Sequence, residues 1–172
     1  EDSGRNYQDY LVKAAEQGHV KAALQLVLHP RSRDEKLRWL TMAAEGGMAG
    51  AQYQLFQELL KAAPEVESST SARTWLEKAA NNDHTDAQYE LGRLYINGYQ
   101  AFGIEKDSAK ARHWWELAAS KGHGRASDEL SWRYEKGANG FPHDPQRTIE
   151  LLKQAADDYQ FGRNGRQKNV QM

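Results

Sequence analysis

Three histidines, His19, His84 and His123, share one position of a recurring pattern, and imidazole is the side chain most apt to bind metal or move protons near neutral pH. That shared position argues against a common ion. Equivalent residues of stacked helical repeats lie about 10 Å apart, the helix-packing distance, whereas ligands must converge to about 2 Å from one metal. These histidines therefore read as turn or helix-start residues that touch a neighbouring repeat. His113, beside Trp114 and Trp115, reads as a surface neighbour of those rings rather than as a general base. The carboxylates show no pairing suited to acid–base work. Asp157-Asp158, at a helix end, reads as solvated surface, the other reading being an acidic patch for a basic partner. No phosphate loop, nucleophile elbow or zinc signature occurs. The lack of cysteine removes disulfides, thiolate catalysis and Cys-ligated zinc, without choosing between cytosol and periplasm. The expectation is a chain with no catalytic residues, no metal and no cofactor.

The elements that carry these residues have to be built from 172 residues, 39% hydrophobic and 27% charged, which suits one domain or a short repeat array. A formal net charge of −1 gives no global electrostatic case for nucleic acid. No apolar run approaches the roughly 20 residues that span a bilayer, so no integral membrane segment is expected. Position 1 is Glu rather than Met, which leads to the expectation of a processed or excised segment, with any signal peptide or lipid anchor outside it.

An Ala-Ala pair recurs at Ala14-Ala15, Ala43-Ala44, Ala79-Ala80, Ala118-Ala119 and Ala155-Ala156, at intervals of 29, 36, 39 and 37 residues. A bulky couple precedes each at one offset: Tyr10-Leu11, Trp39-Leu40, Trp75-Leu76, Trp114-Trp115 and Leu151-Leu152. Seven residues before each couple stands Ser3, Ser32, Ser68, Asp107 or Asp144, all good helix N-caps. After the pairs come Ala22, Ala51, Ala87 and Ala126, each four residues ahead of Leu26, Leu55, Leu91 or Leu130. Small-then-large at that spacing lies on one helix face and allows close backbone approach. Gly18, Gly47 and Gly122 mark the intervening turn, with Asp83 in the glycine position of one copy. Helices are expected near 3–16, 19–29, 33–45, 48–62, 69–82, 84–97, 107–121, 123–136 and 145–158, with loops at 98–106 and 137–144. One such pair cannot bury its own apolar stripe, and stacking does.

The stretch Ala87, Leu91, Gly92 and Tyr95, then Gly98, Ile104, Asp107, Lys110-Ala111, Trp114, Ala118-Ala119 and Gly122, resembles a nearly complete Sel-one-like repeat, a subgroup of the tetratricopeptide-like helix pairs. The pattern covers residues 5–158, and between 1 and 80 Val27 or Phe56 stands in for the usual glycine. The resemblance implies an all-α fold: a right-handed α/α superhelical solenoid of about four helix pairs over 1–158, with incomplete terminal repeats. It also implies an adaptor or scaffold that binds another protein. In bacterial members, that protein can be a secreted toxin neutralised by an immunity protein, and many members are periplasmic or envelope-associated. A structural component of an envelope complex, self-associating through its ends, is the alternative.

In such a stack the residues opposite the Ala–Leu stripe face a concave groove. By that register the groove holds Lys21, Leu24 and Leu28; Gly50, Tyr53, Gln57 and Leu60; Asp86, Tyr89, Arg93 and Ile96; and Arg125, Asp128, Trp132 and Glu135. Tyr53, Gln57, Asp86, Tyr89, Arg93, Arg125, Asp128 and Trp132 are the expected partner-binding set, since aromatic anchors beside charges are what protein recognition uses. Tyr53 and Tyr89 have a second reading as inter-repeat packing. Residues 159–172 read as a polar tail bearing Arg163, Arg166 and Lys168, or as a cap in which Tyr159 and Phe161 fold back over the last helix.

Overall fold

Each helix starts and stops where the chain supplies the chemistry for it. The structure, a computed structural model, describes residues 2–30, 32–62 and 66–168, with side chains described over 7–30, 32–61 and 70–157. The described residues form nine α-helices: α1 (Asp2–Glu16), α2 (Val20–Leu28), α3 (Arg33–Glu45), α4 (Ala49–Ala62), α5 (Val66–Asn81), α6 (Thr85–Asn97), α7 (Ser108–Ser120), α8 (Gly124–Lys136) and α9 (Pro145–Lys168).

Three of the five expected caps are made. Ser32 accepts from Glu35 N at 3.1 Å, Asp107 from Lys110 N at 2.9 Å and Asp144 from Arg147 N at 2.9 Å. Ser3 and Ser68 are not caps, because α1 and α5 begin ahead of them, at Asp2 and Val66. A serine inside a first turn does not halt a helix.

The first four Ala-Ala pairs end their helices through one repeated device. In each of these copies the turn residue donates to the second alanine's carbonyl, and the next residue donates to the first's. The bonds are Gly18 and His19 at 2.8 and 3.0 Å, Gly47 and Met48 at 3.1 and 3.3 Å, Asp83 and His84 at 3.2 and 2.9 Å, and Gly122 and His123 at 3.0 and 3.1 Å. This six-to-one and five-to-two pattern needs a left-handed residue at the turn. Asp83 adopts φ +67°, close to the +82° of Gly122, so the aspartate does serve the glycine position.

Two compact units result, 1–84 and 85–172. In the first, α1 to α5 pack in sequence around Ala15, Ala23, Trp39, Leu40, Ala43, Ala44, Ala51 and Leu55, with Leu11, Leu24, Leu59 and Trp75 at the margin. In the second, α6 to α9 enclose Tyr89, Ile96, Ala111, Trp115, Ala118, Ala126, Leu130, Tyr134, Phe141 and Leu151. The 98–106 loop is ordered by a Tyr99–Ile104 bridge around a 3-10 turn, Gln100–Phe102, and buries Phe102 and Ile104.

The last copy differs from the rest. Ala156 is exposed, and Leu152 is 50% exposed where Leu40, Leu76 and Trp115 are sealed. The backbone of α9 stays helical to Lys168, past the expected end near 158. The side chains of Tyr159 and Phe161, and with them the expected cap, lie outside the described residues.

Candidate partner-binding cleft

In the second unit, α6 and α8 present a cleft of about 390 Å³ lined by Tyr89, Arg125, Asp128, Glu129 and Trp132. The last four fall at i, i+3, i+4 and i+7 on α8, one helical face. Four of the eight expected residues thus meet in one place, and Glu129 joins them.

Tyr89 forms the floor and is only 7% exposed. Its ring stacks on His123 at 4.7 Å between centroids, and the Arg125 guanidinium sits 5.0 Å from its centre. Burial pushes its hydroxyl pKa up, and the nearby Glu129 carboxylate adds to the rise. Inter-repeat packing is therefore the larger part of this tyrosine's role, with an edge left to the cleft. His123 is fixed at both nitrogens. Its Nδ1 accepts from Ala126 N at 3.2 Å, capping α8, so in the neutral ring the proton lies on Nε2 and is donated to Asp86 Oδ1 at 3.2 Å. Arg125 also approaches Asp86, at 3.7 Å, which ties Asp86 to the cleft's edge.

Arg133 was not singled out from sequence, yet it organises the far end. Only 8% exposed, it lies 4.4 Å from the centre of Trp115 and 5.4 Å from that of Trp132. It donates to the Glu129 carboxylate and, at 3.0 Å, to Glu129 O. The Glu129/Arg133 spacing of i, i+4 was the available signal. Trp132 is 50% exposed.

The remaining expected residues lie elsewhere. Arg93 points to solvent beside Glu90, with contacts of 2.9 and 3.2 Å, and does not line the cleft. Tyr53 and Gln57 belong to the first unit, where Tyr53 stacks on His84 at 4.5 Å, repeating the Tyr89–His123 contact, and Gln57 is exposed. Ile96, expected in the groove, is 4% exposed and sits in the core. Leu28 and Leu60 are exposed and Leu24 packs at the core margin. Glu135 pairs with Lys136 at 2.9 Å. Among the described residues no group of three or more His, Cys, Asp or Glu converges as a metal site would, and no helix is long and apolar enough to cross a membrane.

Capped helices stacked by alanine seams, with a tyrosine from one pair resting on the first residue of the next, define an α/α helical-repeat protein. The Sel1 repeat model matches residues 8–19, 37–48, 49–84, 85–123 and 125–158. The chain belongs to the Sel1 repeat family. Its three long matches each begin on an Ala–Leu helix and close just past an Ala-Ala pair, which makes α4–α5, α6–α7 and α8–α9 the repeat units. A Sel1 repeat protein from Oxalobacter formigenes superposes with a TM-score of 0.73 at 27% identity, over 88% of this chain and 63% of that one. The c5321 protective antigen of uropathogenic Escherichia coli, with the same fold, gives 0.71 at 24% identity over 87% of this chain and 33% of that one. The chain thus spans less than two thirds of either structure. No curated protein matches it. Proteins of this family are in general helical scaffolds for protein–protein interaction, and the fold here is the α-solenoid of that family.

Proposed function

We propose that this chain is a non-catalytic adaptor that binds a segment of a partner protein in the α6–α8 cleft. The observation that carries the reading is the convergence of Tyr89, Arg125, Asp128, Glu129 and Trp132 on one concave surface. A half-exposed indole, a tyrosine edge and charges of both signs, held on packed helices rather than loops, give area and polarity with little ordering cost. Immunity against a secreted toxin is one concrete form of this reading, resting on family resemblance alone, and co-purification with such a toxin would favour it.

The test compares affinity-captured proteins from the producing cells for the native chain and for Trp132→Ala with Arg125→Glu. Both side chains are largely exposed, so helicity by circular dichroism should be unchanged. Loss of a stoichiometric partner from the variant supports the proposal, and an identical partner profile refutes it.

The alternative, self-association as an envelope assembly component, draws on the exposed Ile149 and Leu152 of α9 and Tyr7 and Tyr10 of α1. Sedimentation that stays monomeric across a hundredfold concentration range would exclude that reading.

A further inference from the structure

We infer that the cleft takes an aromatic side chain of a polypeptide partner, seated against Trp132, an assignment that rests on the cleft being the partner site. At about 390 Å³ it is small among ligand clefts, a size that suits one anchoring side chain and the backbone on either side of it.

The charges that line it are already committed within the chain. Arg125 lies over the Tyr89 ring at 5.0 Å and reaches Asp86 at 3.7 Å. The Glu129 carboxylate accepts from the Arg133 guanidinium, and Asp128 has an interaction of its own. A charged guest must therefore compete with these contacts or give up its water without a counter-charge in exchange, and either course is unfavourable.

What the cleft leaves uncovered is apolar surface. Trp132 is 50% exposed, and Tyr89 adds a ring edge at the floor. Arg133, 5.4 Å from the Trp132 ring centre, already holds the indole in place, so little order is lost when a guest closes on it. Two features favour a ring over an aliphatic chain. An aromatic guest meets Trp132 and Tyr89 in the offset or edge-to-face pairings that give more than area alone provides. Arg125, its side chain 62% exposed, touches Asp86 through Nη2 at the edge of the guanidinium, which leaves a flat face for a guest ring to stack upon. Arg125 and Trp132 stand seven residues apart on α8. That is about 10 Å along the helix, so a ring midway lies about 5 Å from each, within the range over which rings pair.

The experiment uses the full chain and four probes, acetyl-Gly-Phe-Gly amide and its Leu, Arg and Asp counterparts. The indole N–H resonance of Trp132, assigned with Trp132→Phe, is followed during titration. The Phe peptide should move it saturably, bind about threefold or more tightly than the Leu peptide, and about tenfold more tightly than either charged one. Its affinity should change less than about twofold between about 50 and 500 mM salt, since screening acts on charges and not on rings. Trp132→Leu, followed at the backbone amides of α8, should erase the preference for Phe over Leu. Charged peptides that bind as tightly as the Phe peptide, an affinity lost in salt, no saturable shift at Trp132, or a preference that survives Trp132→Leu would each overturn the assignment. If Trp132→Ala with Arg125→Glu still abolishes capture of a partner while the four peptides bind alike, the cleft stands as the partner site and only its aromatic guest falls.

Discussion

Replacing Gly92 by alanine should destabilise the second unit, although helix propensity alone predicts the opposite. In an exposed helix the change is worth about 1 kcal/mol of stability, because glycine loses more backbone entropy. Gly92, however, lies under the indole of Trp115. A Cβ built there falls 2.3 Å from Nε1, 2.4 Å from Cδ1 and 2.8 Å from Cε2. Contacts between such atoms are optimal near 3.5–4.0 Å, so the ring must retreat by roughly 1 Å or more. Trp115 is fully buried, and its Nε1 donates to Tyr89 O at 3.1 Å, a bond that retreat breaks. Overpacking costs about 1–3 kcal/mol, and a buried donor left unpaired costs about 1–3 more. After the propensity gain the net loss should be about 3 kcal/mol.

The repeats indicate how the loss can be reversed. The position of Gly92 is Val27 and Phe56 in the earlier copies, and the position of Trp115 is Leu40 and Leu76. All four of those residues are buried, so a larger side chain on the first helix goes with a smaller one on the second. Trp115→Leu alone should cost about 2–3 kcal/mol, somewhat less than truncation to alanine. In that background Gly92→Ala should become stabilising by about 1 kcal/mol, since the propensity gain returns and the new methyl fills space. Urea unfolding followed by circular dichroism on the four proteins gives the cycle. A stabilising Gly92→Ala single variant, or additivity within about 0.5 kcal/mol, would refute the reasoning.

Three further outcomes follow from capping, turn geometry and ionisation. Ser32→Ala removes the acceptor for Glu35 N and should cost about 1 kcal/mol by urea unfolding, whereas Ser68→Ala, inside α5, should cost much less. Asp83→Asn should be tolerated, while Asp83→Val places a β-branched residue at φ +67° and should cost about 1–2 kcal/mol in the same assay. Burial and then the hydrogen bond to Glu116 at 2.7 Å push the Tyr134 hydroxyl up to about 12. Because the folded state holds this proton more tightly than the unfolded state, its contribution is complete below about pH 10 and is lost as pH rises towards 12. Stability measured across that window should fall, and Tyr134→Phe should flatten the slope; an equal slope in both proteins would exclude Tyr134 as its source.

The repeat was legible because its marks are local. Ala-Ala, the turn residue and the offset Ala–Leu are each set by contacts within one helix pair, and Asp83 could be placed because left-handed backbone tolerates aspartate as it does glycine. The groove was legible only in part. Its register assumed that a helix has one packed stripe and one open face, but α6 is covered twice. Trp115 lies on it at Gly92, and His123 of the next pair stacks on Tyr89. Between those covers Ile96 and most of Tyr89 are enclosed, and an edge of Tyr89 is what remains for the cleft. The same double covering explains why α8 carries most of the cleft. At the tyrosine position it has Asp128, and at the Arg93 position it has Trp132, and both line the cleft. Arg133 escaped notice because a buried arginine is rare on composition and becomes intelligible only through its partners: two indoles and the Glu129 carboxylate brought together by α7 and α8. Its removal tests that account, since Arg133→Met keeps the apolar stem while releasing Glu129. Losing the guanidinium contacts to both indoles and to Glu129 should cost about 1–2 kcal/mol by urea unfolding, and an unchanged unfolding midpoint would refute that account.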